Sequence, residues 1–254
     1  LSLHDALPIW RRPERVGLAV WQAVYVGLIG GMLVAAAGFL AEPLFAWYGH
    51  APAVQQQEAI YFRTLNAFAV FPLVLTAALS FWSGRGLTWT VMAIEVPMSA
   101  ANILFNWLLI FGVGPFPRLG IFGAGLATGL ASALGCAVGL GLLFRRANRK
   151  RFDTFPRKTF DAPLFRRLVH FGLPNAVHFF LDLASFNLFI MLIGRLGPLP
   201  QEATTMAFSI NAMVFIPMIG LGMGVMVLVG QAVGARRIPR ARRAVRSAAK
   251  LVGL

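Results

Sequence analysis

Six apolar runs, at about 16–41, 60–82, 88–111, 120–144, 164–194 and 203–234, take up most of the sequence. Each has the ~20 residues that a helix needs to cross the hydrocarbon core of a bilayer. A seventh run begins near residue 243 and is cut off at Leu254. The runs are continuously apolar and rich in Leu, Ala, Gly and Phe, without the period-2 alternation of a transmembrane strand. The expected fold is therefore all-α: a polytopic transmembrane helix bundle of six full spans plus a truncated seventh. Composition agrees. Charged residues make up 13% of the chain and hydrophobic residues 58%, against roughly 25% charged in soluble domains. The mean hydropathy is +0.71.

The net charge of +14 does not describe a nucleic-acid-binding surface. The basic residues sit in short blocks between apolar runs, not along one soluble face. Arg11, Arg12 and Arg15 precede the first run and Arg85 follows the second. A block from Arg145 to Arg167 follows the fourth, and another from Arg236 to Lys250 follows the sixth. The remaining basic residues, Arg63, Arg118 and Arg195, occupy the other set of loops. This alternation fits six crossings, and the basic side is expected in the cytoplasm. The chain then starts inside, and a loop at 43–59 without Lys or Arg lies outside. The single cysteine, Cys136, rules out an intrachain disulfide.

Asp182 is the acid set deepest in any apolar run, within LPNAVHFFLDLASFNLFIMLIG. A carboxylate near the bilayer centre costs ~3 kcal/mol on insertion scales, and such a group usually faces a protein interior or water-filled cavity. Helical spacing puts Asn175, His178 and Asp182 on one face. His178 and Asp182, four residues apart, are placed to share a hydrogen bond or proton. The alternative is a polar cluster that ties helices together. Glu95 is the other intramembrane acid, about two turns into its span with Pro97 close behind. Asn102 and Asn106 on that run are expected to bond across helices.

The sixth run carries Asn211 mid-span, together with Pro217, Gly220, Gly222 and Gly224. These residues argue against a uniform helix. Met206, Met213, Met218, Met223 and Met226 offer either an adaptable ligand surface or ordinary core packing. HExxH, P-loop and CxxC motifs are absent. Without a nucleotide site, uphill transport would have to draw on an ion gradient. Neither enzymatic activity nor a cofactor is expected. A metalloenzyme built on His178 and Asp182 would need a third ligand at the same depth.

Residues 1–9, LSLHDALPI, fit poorly with the rest of the sequence and are read as a non-native, adapter-derived segment. With no initiator Met and an apolar run broken off at Leu254, both ends are expected to be incomplete. Residues 10–150 form the first group of four spans. Residues 151–163 form a basic cytoplasmic linker, and 164–254 hold two spans and the truncated third.

Four segments carry a resemblance: YFRTLNAFAVFPLVLTAALSFWSGRGLTW (61–89), NILFNWLLIFGVGPFPRLGIFGAGLATGLA (102–131), FGLPNAVHFFLDLASFNLFIMLIGRLG (171–197) and AFSINAMVFIPMIGLGMGVMVLVGQAVGA (207–235). In order and spacing they resemble the multidrug and toxic compound extrusion family, MATE, in its NorM-like branch. That resemblance implies twelve helices in two lobes around a cleft, of which this chain would supply the third to eighth and the start of the ninth. It implies a bacterial inner-membrane antiporter, a monomer at full length. Organic cations would leave in exchange for H⁺ or Na⁺, and the partners would be those cations and membrane lipid. Asp182 falls where NorM-like members carry a coupling acid, often Glu, and would bind H⁺ or Na⁺. Asn175, His178, Asn211 and Glu95 would line the cleft. The family's other coupling acids belong to helices outside this chain. A lipid-linked oligosaccharide or polysaccharide flippase of the same superfamily is the alternative, disfavoured by the near absence of Arg and Lys within the spans.

Overall fold

The computed structural model describes residues 14–48, 52–152, 154, 160–235 and 237–252; residues 1–9 and most of 153–159 lie outside them. Among the described residues the regular structure is entirely helical. The helices are α1 (Glu14–Ala37), continued by a 3₁₀ turn (Gly38–Leu40), α2 (Ala41–Tyr48), α3 (Pro52–Ala67), α4 (Val70–Ser83), α5 (Thr88–Phe111), α6 (Gly120–Leu143), α7 (Arg146–Phe152), α8 (Ala162–Gly194), α9 (Pro198–Gly234) and α10 (Ile238–Val252). Five spans are long and apolar enough to cross a membrane, or six when the bent pair α3–α4 counts as one. The chain is a multi-pass helical membrane protein. The run expected from residue 243 lies in α10, whose 15 residues are too few to count among those spans. The fold falls into two compact units, Arg11–Asp161 and Ala162–Leu254.

In the first unit α4 is the central helix. Its Val74, Leu75, Ala77, Ala78, Leu79, Phe81 and Trp82 are buried. They form one core with Val20 and Val24 of α1, Ile94 of α5, and Cys136 and Leu143 of α6. Lipid tails are as apolar as Leu, so burial alone does not drive such helices together; close packing does. Small residues make that packing possible. A Cβ on Gly31 of α1 would come 2.5 Å from the Cα of Val70. A Cβ on Gly129 of α6 would overlap the ring of Phe68, and one on Gly125 would come 2.9 Å from Thr64. The polar link expected from Asn102 and Asn106 is present. Asn106 donates to Asn102 at 3.1 Å, and Asn102 donates to Thr128 of α6 at 3.3 Å. Thr128 in turn donates to the Ala124 carbonyl at 3.0 Å.

Two expectations need correction. The second run is not one straight helix: α3 and α4 meet at a 43° bend. Pro72 explains it, because proline has no N–H to bond the carbonyl four residues back and its ring clashes there. That carbonyl belongs to Phe68, which instead accepts a tighter bond from Phe71 N–H at 3.0 Å. The stretch read as a loop at 43–59 is largely helical, in α2 and the start of α3. Pro43 and Pro52 sit in first turns, where proline's missing donor is not needed. Arg63 of α3 ties α2 down through Glu42 at 2.9 Å.

Part of the expected linker is held on the first unit. The Arg85 guanidinium lies 4.8 Å from the Phe81 ring centre and 4.3 Å from that of Phe152. Trp21 Nε1–H donates to the Thr154 carbonyl at 2.8 Å, and the Thr154 hydroxyl donates to the Leu143 carbonyl at 3.2 Å. Phe152 and Thr154 are both buried.

Gly129→Val is expected to lower the unfolding free energy of the detergent-solubilised chain by ~1–3 kcal/mol, the usual cost of overpacking. Gly172→Ala, with nothing within 4 Å of its Cβ position, should not destabilise it and is expected to add up to ~1 kcal/mol. Equal melting behaviour of the two variants would show that helix contact at Gly129 does not limit stability.

Candidate functional site

The second unit places the polar spans as an antiparallel hairpin, α8 and α9, joined by the short turn Arg195–Gly197. Gly197 has φ 121°, a conformation that L side chains rarely adopt. Pro198 then opens α9 at a position where its lack of N–H costs nothing. Near this turn the two helices pack through aromatic rings. Phe208 of α9 meets Phe186 edge-on at 4.9 Å between ring centres, and Phe189 at 6.0 Å. Such edge-to-face pairs add ~0.5–1.5 kcal/mol beyond area burial.

The aromatic contact fixes which face of α8 points toward α9. Phe186 and Phe189 lie four and seven residues beyond Asp182, so all three share one stripe of the helix. His178 and Asn175 continue that stripe toward the start of α8. On α9, Asn211 stands three residues after Phe208 and therefore on a neighbouring part of the contacting face. By helical spacing both polar sets continue from the aromatic contact, Asn175, His178 and Asp182 along α8 and Asn211 along α9.

Within the polar stripe, His178 Nδ1 lies 3.1 Å from Asp182 Oδ2. The contact is an ion pair when the histidine carries its second proton. The side chains are 78% and 64% exposed. No residue of α8 is buried. Asn175 and Asn211 are exposed, and neither has a hydrogen-bond partner among the described residues. A carboxylate held at one oxygen by an imidazole and open at the other can accept a proton or coordinate a small cation. Asn175 and His178 share its stripe of α8.

Other expectations fare differently. Glu95 lies on α5 in the first unit, partly buried. The α9 helix runs unbroken from Pro198 to Gly234, in spite of Pro217 and the three glycines. In a membrane the freed backbone groups have no water to turn to, so helices tolerate Pro and Gly better than in solution. Gly220, Gly222 and Gly224 have nothing within 4 Å of their Cβ positions. Met206, Met213, Met218, Met223 and Met226 are exposed rather than packed in a core. Among the described residues no group of three or more His, Cys, Asp or Glu stands close enough to hold a metal ion. One feature was not legible: a surface pocket of about 440 Å³ between α2 and α3, lined by Glu42, Phe45, Gln55 and Arg63 among others. Pro43 and Pro52, as first-turn prolines, were the signals that helices rather than a loop flank it.

A bundle of five or six membrane-length helices belongs to the class of polytopic helical membrane proteins. Comparison with known proteins narrows this. The MatE family model matches residues 174–254, which include Asn175, His178, Asp182 and Asn211. The chain is 29% identical over 236 residues to the "Probable multidrug resistance protein NorM" of Rhizobium meliloti (strain 1021), covering 92% of this chain and 49% of that protein. It is 32% identical over 230 residues to the protein of the same name from Mesorhizobium japonicum, covering 89% and 47%. It is 25% identical over 233 residues to that of Bacillus subtilis (strain 168), covering 91% and 52%. The chain belongs to the MatE family, in its NorM-like branch. It spans about half the length of the curated relatives it matches.

An exposed i, i+4 pair on a helix contributes ~0.3–0.5 kcal/mol. Asp182→Asn is therefore expected to change the unfolding free energy of the solubilised chain by less than ~0.5 kcal/mol. A loss of several times that size, by denaturant titration, would show the pair to be a structural tie.

Proposed function

We propose that the protein acts as a secondary antiporter that exports organic cations in exchange for H⁺ or Na⁺ by alternating access. Asp182 is its coupling carboxylate in this part of the chain. The observation that carries the reading is the Asp182–His178 pair at 3.1 Å on the stripe of α8 that faces α9. The names of the NorM relatives, multidrug resistance proteins, supply the substrate class.

The chemistry follows from competition for one carboxylate. Protonation of Asp182 removes its charge and turns its acceptor oxygen toward donating. A Na⁺ ion bound there needs the carboxylate ionised and His178 neutral, since a positive imidazole 3.1 Å from the same carboxylate would oppose it. A cationic substrate is attracted to the same carboxylate and is excluded when a proton or Na⁺ occupies it. If the coupling ion and the substrate favour different arrangements of the protein, that competition converts an ion gradient into export. Asn175 and Asn211 offer neutral hydrogen-bonding groups beside the charge, and the exposed methionines of α9 offer a deformable apolar wall. The basic loops are on the cytoplasmic side, so the chain begins inside and the α8–α9 turn lies outside.

In bacteria lacking their own efflux pumps and expressing the intact protein, Asp182→Asn should leave membrane expression unchanged and abolish ion-dependent efflux of an ethidium-like dye. Normal efflux by that variant would remove Asp182 from the mechanism. Asp182→Glu should retain efflux, with the H⁺ or Na⁺ dependence of the rate altered.

A further inference from the structure

We infer that α7, together with Thr154, is a clasp that locks α1, α4 and α6 into one block at one end of the first unit. The inference rests on contacts inside that unit and not on the transport proposal. The local sequence gives α7 little reason to be a helix. It has seven residues, RANRKRF, well below the ~12–15 at which an isolated helix becomes even marginal in water. It opens on Arg146 with no acid in its first turn, so a cation sits at the positive end of the helix dipole. Arg146 and Lys150 are like charges four residues apart, which repel along a helix. With length, dipole and charge pattern all opposed, α7 has to be held by contacts from outside itself.

Three helices supply those contacts. Phe152 is buried and meets Phe81 of α4 edge-on, at 5.3 Å between ring centres. The guanidinium of Arg85, two residues past the end of α4, lies against both rings. Arg85 is itself fixed in the turn, its N–H donating to the Trp82 carbonyl at 3.1 Å. From α1, Trp21 stacks on Phe144 at 5.8 Å and donates to the Thr154 carbonyl. The contact with α6 is at that helix's own end, where the last carbonyls have no partner within the helix. Asn148 Nδ2–H donates to the Leu142 carbonyl at 2.9 Å, and the Thr154 hydroxyl donates to the Leu143 carbonyl. The clasp therefore caps α6 while its one aromatic side chain is wedged against the end of α4. Arg145, Arg146 and Arg149 are exposed, so charge faces outward and Phe152 faces inward. A solvated basic loop would leave Phe152 and Thr154 exposed, and both are buried by side chains of the first unit.

The test measures hydrogen exchange of the intact protein in nanodiscs and compares α7 with the core of α4. Wild-type α7 is expected to exchange at least ~10-fold more slowly than a free peptide of the same sequence, which cannot hold a helix. Phe152→Ala and Arg85→Gln should each speed exchange of α7 by roughly 5- to 10-fold, with residues 74–79 of α4 unchanged. Arg85→Lys should lose less, because an ammonium can still sit against a ring. Arg85 acts on α7 through Phe152, so the double variant should exchange about as fast as Phe152→Ala alone. Wild-type α7 exchanging like the free peptide would overturn the inference, and that comparison needs no variant. Unchanged exchange of α7 in Phe152→Ala would also overturn it. So would equal acceleration of residues 74–79, which would make Phe152 an ordinary part of the core and not the hold on a separate clasp.

Discussion

Close approach between helix backbones is the constraint on which the first unit depends. In lipid, an apolar side chain gains little by leaving the bilayer for a helix interface, so association rests on dispersion contacts at short range. The sequence meets that need with glycine where two backbones or a backbone and a ring must touch. Gly31 lets α1 reach the start of α4, and Gly129 opens α6 to Phe68. Phe68 is also the residue whose carbonyl Pro72 cannot bond. The bend between α3 and α4 and the notch in α6 therefore meet at one side chain, and each accommodates the other.

The second unit has a different character. No residue of α8 is buried, and its hairpin is pinned chiefly at the turn end by Phe186, Phe189 and Phe208. Past those rings the same stripe becomes polar, with Asp182, His178 and Asn175 in succession. An apolar clasp followed by a polar stripe lets a hairpin hold its register while leaving its charged part accessible. The ionisable pair is then positioned by helix geometry alone, which specifies the distance between His178 and Asp182 but leaves their surroundings to whatever packs against the hairpin.

The sequence was most legible where physics is most one-dimensional. Span lengths and their order follow from runs of apolar residues, and the limits of α5 and α8 agree with the reading to within two residues. The i, i+4 relation of His178 to Asp182 is a property of any helix, so their contact was also readable. Asn102 could be expected to bond across helices, but its partner Thr128 could not be named, because pairing between helices is not encoded by spacing within one. Proline misled in both directions. Pro217 suggested a break that α9 does not have, while Pro72 makes one that the apolar run at 60–82 concealed. What separates them is context: Phe71 N–H supplies a shorter bond beside Pro72, and a notch in α6 receives Phe68. The helices of 41–59 were hidden because polar and small residues without long apolar runs read as loop, although first-turn prolines mark where helices begin.

Cys136 is the chain's single thiol and is 5% exposed within the core of the first unit. A buried thiol is inert toward reagents that need an accessible thiolate. The chain is in effect silent to maleimide chemistry as it stands. A cysteine placed at any exposed position along α8, α9 or the turn between them would be the only group to react. Water-soluble and membrane-permeant reagents could then map, residue by residue, which parts of the polar stripe meet water and from which side of the bilayer, without first removing a native thiol.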